Sequence, residues 1–299
     1  MLTPIHTKDG SSTFYSETFG EWFHSRQGAL REANETYVRS AKLAHRAQTL
    51  PIGGTLRILD VCYGLGYNTA AALEAIWSVA PDCSVDIRAL EIDIEVAKSA
   101  IAQNLTRVYS PDVQQVLREV AFNQSARLNN ASVALLVGDA RQTIGALIKE
   151  NWQADVIFLD PFSPPHCPQL WTIEFIALVA QCLSAEEGEL VTYSCAAAVR
   201  SALLHAGLSI GSLATPARRW PGTIARRSNT KFTQPLPFLS QQEQEHLRTK
   251  AAVPYRDPTL RATAKDILLH RSIEQQNSAL LPTGPWRSRW KQKALDKRS

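Results

Sequence analysis

The chain has 299 residues, enough to bury a full hydrophobic core, and its 44% hydrophobic and 20% charged content is that of an ordinary soluble protein. No apolar run is long enough to span a membrane, the opening MLTPIHTKDGSST lacks the regions of a signal peptide, and the cysteines (Cys62, Cys83, Cys167, Cys182, Cys195) show no CxxC spacing, so a cytoplasmic protein with reduced thiols, no membrane partner and no bound metal is expected. The net charge of +4 is unevenly placed: residues 1–215 hold 15 Lys+Arg against 22 Asp+Glu, a net of −7, and residues 216–299 hold 17 against 6, a net of +11, which predicts an acidic partner for the last quarter, most simply nucleic acid.

Along the chain, residues 1–50 carry a polar signature (Asp9, Ser11, His24, Glu32) ahead of any strand pattern and are expected to form an extension that covers a site. Apolar runs bounded by turn residues predict strands at Leu56–Val61, Val85–Glu91, Ser132–Val137, Asp155–Asp160 and Glu189–Tyr193. Amphipathic stretches near Thr69–Val79, Ile94–Asn104, Thr143–Lys149, Trp171–Leu183 and Ala196–Ala206 predict the helices between them. This alternation predicts an α/β fold with a doubly wound parallel sheet over residues 51–235. After Gly207 the prolines 216, 221, 235 and 237 suggest a closing hairpin followed by a basic extension, 236–299. Within it Ser240–Lys250 reads as a helix and GPWRSRWKQKALDKRS as a partly ordered basic tail.

Four of the predicted strands carry an acid at or beside their carboxyl ends. The first runs into LDVCYGLGYNT, where Asp60 precedes Gly64 and Gly66. A dinucleotide fingerprint needs a small residue where Thr69 stands, so NAD is disfavoured. The loop resembles the first motif of Rossmann-like S-adenosylmethionine-dependent methyltransferases, whose glycines let the backbone approach the methionine moiety. Glu91 ends the second strand, where a carboxylate can accept from ribose hydroxyls. Asp139 ends the third, where it can accept from an adenine amino group while Ala140 leaves room for the ring. Each acid alone is more often a helix cap or a solvated loop residue.

The fourth, Asp160, ends DVIFLDPFSP. A strand-end carboxylate can accept hydrogen bonds from an amine, Pro161 can fix a carbonyl to take another, and the Phe162 ring can stack on a base. The stretch resembles the Asp/Asn-Pro-Pro-aromatic loops of methyltransferases that modify exocyclic amines, except that the aromatic follows the first proline directly. Asp160 is expected to orient the amine, with proton acceptance as a secondary role in a dry site.

Taken together, TKDGSSTFYS, HSRQGALREANETYV, LDVCYGLGYNT, LEID, GDAR, FLDPFSPPHCPQLWT and TYSCAAAVRSALLHAGL resemble the methyltransferase domain of MnmC, the bifunctional tRNA 5-methylaminomethyl-2-thiouridine biosynthesis protein, and its stand-alone relatives. PGTIA and VPYRDPTL are similar to segments of the stand-alone members, whereas Cys167 stands where relatives often have asparagine. The resemblance implies N-methylation of the 5-aminomethyl group of wobble uridine, with S-adenosylmethionine as donor and S-adenosylhomocysteine as product. It adds Glu32, Tyr67 and Asn68 to the cofactor set and Ser163 and Pro164 to the substrate set. The family's basic pair is spread over Arg218, Arg219, Arg226 and Arg227, expected with the Arg287–Lys293 group to contact the anticodon stem and loop of tRNA. Trp286 and Trp290 either stack on a base or pack back on the protein. No second glycine fingerprint follows, and the 84 residues beyond Thr215 are too few for a flavin domain, so FAD is not expected and the aminomethyl substrate would come from other enzymes. Two other readings remain open: a spermidine-synthase-like aminopropyltransferase and a non-catalytic RNA-binding Rossmann module.

Overall fold

In the computed structural model, which describes residues 3–216, 220–228, 232 and 234–296, the chain opens with two short hairpins. These are β1 (Ile5–His6) with β2 (Ser12–Thr13), and β3 (Tyr15–Ser16) with β4 (Glu21–Trp22). Helix α1 (Ala29–Glu32) runs into a π-helical segment, Ala33–Val38, and α2 (Leu43–Thr49) follows. The central part comprises β5 (Thr55–Val61), α3 (Tyr67–Trp77), β6 (Ser84–Glu91), α4 (Ile94–Ala102), α5 (Pro111–Asn123), β7 (Ser125–Leu128), β8 (Ala131–Val137) and α6 (Ala140–Lys149). It continues through β9 (Val156–Leu159), α7 (Ile173–Gln181), β10 (Glu189–Thr192), α8 (Ala197–His205), β11 (Leu208–Leu213) and β12 (Gly222–Arg227). Helices α9 (Gln241–His246), α10 (Ala264–Asn277) and α11 (Thr283–Asp296) complete the described chain.

The eight-stranded sheet has the order β11-β12-β10-β9-β5-β6-β8-β7. Its five inner strands, β10 through β8, are parallel, and antiparallel strands close both edges. Burial on both faces explains the unbroken apolar runs of the sequence. In β9, Val156 and Phe158 enter one core with the helices of the amino-terminal half, while Ile157 and Leu159 enter the other with α6, α7 and α8. Chain order reverses between β5 and β9, so a crevice forms at the carboxyl ends of those strands, where open α/β sheets bind ligands.

All five predicted strands and their helices are present, and the expected closing hairpin is β11–β12. Helix α5 and edge strand β7 were not anticipated, nor were the amino-terminal hairpins. The carboxyl-terminal basic stretch, expected to be a partly ordered tail, is helical as far as Asp296 in α11, and residues 297–299 lie outside the described residues. It is held to α9: the Trp286 ring lies parallel to His246 at 4.0 Å and donates its indole N–H to the Gln242 carbonyl, and Trp290 donates to Glu245. The α9 amino terminus is in turn fixed by the Ser240–Glu243 capping box, whose Glu243 also accepts from the buried Arg200 at 2.6 Å. Among the described residues, no helix is long and apolar enough to cross a membrane.

Candidate active site

The four strand-end acids gather around the reversal point, and each is held differently. Asp60 shares the β5 face of Leu56 and Ile58, so its carboxylate points toward α3 and is fully buried, accepting from the Thr69 hydroxyl at 2.7 Å. Thr69 therefore anchors the helix to the strand. The second Asp60 oxygen has no protein partner, and burial pushes the carboxyl up to about 7. Glu91 accepts from the Gly64 N–H at 2.8 Å and the Asp93 N–H at 2.9 Å, tying the end of β6 to the glycine loop. Gly66 caps α3 with φ +82°, and a Cβ there would stand 2.7 Å from the Tyr63 hydroxyl.

Asp139 caps α6 by accepting from the Arg141 N–H at 2.9 Å, and the Arg141 guanidinium folds back onto both its oxygens. Asp160, one residue beyond β9, accepts from the Asn68 amide at 2.8 Å. Burial and the nearby Glu32 carboxylate raise its pKa to about 6 against the opposing influence of His24. The buried Tyr37 hydroxyl lies against Asp160, and burial together with that carboxylate holds its proton well above the ordinary phenol range.

A cavity of about 520 Å³ opens along these strand ends. Of the residues expected at the site, Glu32, Gly64, Glu91, Asp139, Ala140, Asp160, Pro161 and Phe162 line it. Asp60, Gly66 and Asn68 stand outside the lining, where Asp60 holds Thr69, Gly66 caps α3 and Asn68 donates to Asp160. Tyr67 stands outside the lining: its hydroxyl lies 2.9 Å from the Ser12 carbonyl and 3.0 Å from the Leu105 carbonyl, and it braces α3 against the first hairpin. Ser163 and Pro164 also lie outside the lining; the Ser163 N–H donates to Glu21.

The amino-terminal segment supplies a large share of the wall, including Phe19, Glu21, Trp22 and His24. Phe19 stacks on Phe162 at 4.7 Å and Phe23 meets it edge-on at 5.0 Å, so one face of the ring expected to stack on a base is already covered. The Pro161 carbonyl accepts from the Tyr193 hydroxyl at 2.9 Å and the Phe162 carbonyl from Trp171 at 2.8 Å, which makes the Asp-Pro-Phe loop rigid. His24 is buried 3.8 Å from Glu32. Asp9 and Ser11 serve the extension itself, with Asp9 accepting from Thr7, Ser11 and the Arg31 N–H.

The basic residues assigned to the substrate fall elsewhere. Arg226 is buried and donates through Nε and Nη2 to Glu189, through Nη1 to the Gln234 carbonyl, and lies 3.6 Å over the Phe232 ring. Arg227 donates to the Ala180 and Gln181 carbonyls at the end of α7. All three nitrogens of the Arg226 guanidinium are committed to protein partners, which turns it away from phosphate, whereas Arg227 is held through Nη2; Arg218 and Arg219 lie outside the described residues. Sequence reasoning missed Tyr63, Arg141, Gln169 and Tyr193 in the wall. Position offered a signal for Arg141 and Tyr193, since both stand just past a strand that leads into the crevice.

The lining carries Glu21, Glu32, Glu91, Asp93, Asp139 and Asp160, while its Arg141 guanidinium is already paired with carboxylates. Such a surface repels a diphosphate and suits a cation bearing hydroxyl and amino donors. A sulfonium nucleoside has that chemistry, and the cavity volume lies within the usual range for small-molecule sites.

A profile described as S-adenosyl-L-methionine-dependent methyltransferase matches residues 103–228. The crystal structure of MNMC2 from Aquifex aeolicus is similar over 93% of this chain and 86% of its own, with 31% identity and a TM-score of 0.77. The chain belongs to the MnmC-like family of S-adenosylmethionine-dependent methyltransferases. This MnmC-like methyltransferase is also 30% identical to uncharacterized protein MJ0670 of Methanocaldococcus jannaschii, over 91% of this chain and 72% of that one. It is 30% identical over 253 residues to the bifunctional MnmC of Acidovorax sp., covering 78% of this chain but 35% of the relative, and so spans about a third of that protein's length.

The raised acids of the MnmC-like methyltransferase have a consequence for stability. The folded-state pKa values of Asp60 (about 7) and Asp160 (about 6) lie above the unfolded value of 3.8, so the folded state binds more protons between those limits. Their contribution is present in acid and is lost as pH rises through the folded values. The ligand-free protein is expected to melt several degrees lower at about pH 8 than at about pH 5.5, and Asp60→Asn to show a smaller drop between the two. Melting curves of both proteins at the two pH values check this; equal pH dependence would refute it.

Proposed function

We propose that the protein N-methylates the 5-aminomethyl group of the wobble uridine of tRNA, giving 5-methylaminomethyl(-2-thio)uridine and S-adenosylhomocysteine. The observation that carries this reading is Asp160: a recessed carboxylate on a braced Asp-Pro-Phe loop, opening into the same cavity as Glu91 and Asp139. The relatives named for tRNA 5-methylaminomethyl-2-thiouridine biosynthesis support the choice of substrate. When bound, S-adenosylmethionine supplies an electrophilic methyl group on sulfur. In this reading Glu91 accepts from the ribose hydroxyls, Asp139 from the adenine amino group beside Ala140, and Gly64 lets the backbone approach the methionine moiety. Glu32 is assigned to the cofactor's amino end, and Asp60 acts from behind through Thr69.

Asp160 accepts an N–H of the substrate amine and aims its lone pair at the methyl carbon. The nitrogen–carbon bond forms as the carbon–sulfur bond breaks, and the proton released goes to Asp160 or to water. Residues 1–50 act as the cover, 51–235 as the catalytic sheet and 236–299 as an arm for tRNA. The exposed Arg287, Lys291 and Lys293 of α11 supply phosphate contacts in place of Arg226.

Glu91→Ala is expected to weaken S-adenosylhomocysteine binding about tenfold to a hundredfold, the effect of losing a charged acceptor worth about 1.5–3 kcal/mol. Isothermal titration of the variant measures it, and unchanged affinity would remove Glu91 from the cofactor set. The function is tested by incubating the protein with S-adenosylmethionine and tRNA carrying 5-aminomethyl-2-thiouridine, then digesting the RNA for nucleoside mass spectrometry. A methylaminomethyl nucleoside is the expected product. Its absence, with cofactor binding intact, would overturn the assignment, and aminopropyl transfer from decarboxylated cofactor to putrescine would favour a polyamine synthase.

A further inference from the structure

Arg141 and Asp139 are two residues apart at the start of α6, a spacing at which an exposed pair contributes little by itself. Here the pair is fixed from a distance. The Arg141 Nη1 donates to the Asp257 carboxylate at 2.8 Å and to the Ala262 carbonyl at 2.9 Å, while Nε and Nη2 hold both oxygens of Asp139 at 2.7–3.1 Å. Asp257 is fully buried although it lies 116 residues further along the chain.

The two oxygens of Asp257 divide the work. Oδ1 accepts from the Thr259 hydroxyl and the Arg261 and Ala262 N–H groups, shaping its own loop, and Oδ2 is given to Arg141. That loop is cemented to the carboxyl edge of the sheet. The Asp257 N–H donates to Glu174 at 2.7 Å, the Ile173 N–H donates to the Tyr255 carbonyl at 3.1 Å, and the Gln142 amide donates to the Leu260 carbonyl at 2.9 Å. Arg141 and Asp139 both line the cavity, and the Asp139 side chain retains 35% of its exposure there.

We infer that Asp257 is a positioning residue for adenine recognition: through the Arg141 guanidinium it holds the Asp139 carboxylate in the orientation that accepts the exocyclic amino group. Without Asp257, Arg141 loses the charged partner that fixes its fork and Asp139 is free to turn about its side-chain torsions. The basic carboxyl-terminal extension thus completes the cofactor site. The inference rests on the assignment of Asp139 to adenine, and the test separates the two.

The probes are S-adenosylhomocysteine and S-inosylhomocysteine, in which an oxygen replaces the amino group, titrated against the full chain. The wild type is expected to prefer the adenosyl compound by about tenfold or more, and Asp139→Ala to lose most of that preference. Asp257→Asn keeps Oδ1 for its own loop but turns an amide N–H₂ toward Arg141, and it is expected to lose the preference as Asp139→Ala does. Arg141→Lys, which keeps the charge but cannot bridge two carboxylates, is expected to behave the same way. If Asp257→Asn and Arg141→Lys keep the wild-type preference while Asp139→Ala loses it, the adenine assignment stands and the positioning role falls, whatever happens to melting temperature. If Asp139→Ala keeps the preference, the assignment falls and takes the inference with it.

Discussion

Asp160→Ala is expected to lower the rate of methyl transfer by about 10²- to 10⁴-fold, the range for removing a positioned acid–base group, while S-adenosylhomocysteine binds nearly as it does to the wild type. In the proposed reading the carboxylate stands on the substrate side of the cavity, held from behind by the Asn68 amide, so its loss leaves Glu91, Gly64 and Asp139 in place. Single-turnover rates with saturating cofactor give the comparison. The wild-type rate should also climb as pH rises through about 6, because only the ionised carboxylate accepts from the amine. A variant that lost cofactor affinity but kept its rate would reverse the division between cofactor and substrate sides.

Arg226→Ala should unfold far more readily than the wild type, by about 3–5 kcal/mol, with no change in the salt dependence of tRNA binding. Arg226 and Arg46 together neutralise the buried Glu189, at 2.5 and 2.7 Å, and removing Arg226 leaves half of that carboxylate without its partner. It also abandons the Gln234 carbonyl and the face of Phe232. Urea denaturation measures the loss, and titration of tRNA at several salt concentrations measures the slope. A flattened slope with unchanged stability would return Arg226 to the nucleic-acid surface.

Arg226 illustrates why part of the site could not be read from the sequence. In GTIARR two adjacent arginines after an apolar run look like a solvated basic pair, and nothing local says that β12 pairs with β10 or that Glu189 waits beneath it. The basic stretch after Pro282 presents the same difficulty. Its apolar residues form no stripe, and its order comes from Trp286 meeting His246 and Trp290 meeting Glu245, contacts to a helix some forty residues earlier.

What the amino-acid sequence determined by itself is the alternating sheet and the acids at its strand ends. Burial on both faces forces an unbroken apolar run, and the run must end where the chain turns out of the core, so Asp60, Glu91, Asp139 and Asp160 are marked by their immediate neighbours. Tertiary structure alone decided which of them face the cavity and what holds them there. Asp60 is turned inward to Thr69, Phe162 is covered by Phe19, and Asp139 is fixed through Arg141 by Asp257. Of these partners, Phe19 and Asp257 come from the two ends of the chain. Packing brings them to the crevice, and a periodicity that spans one strand or helix carries no record of which distant segment will meet it.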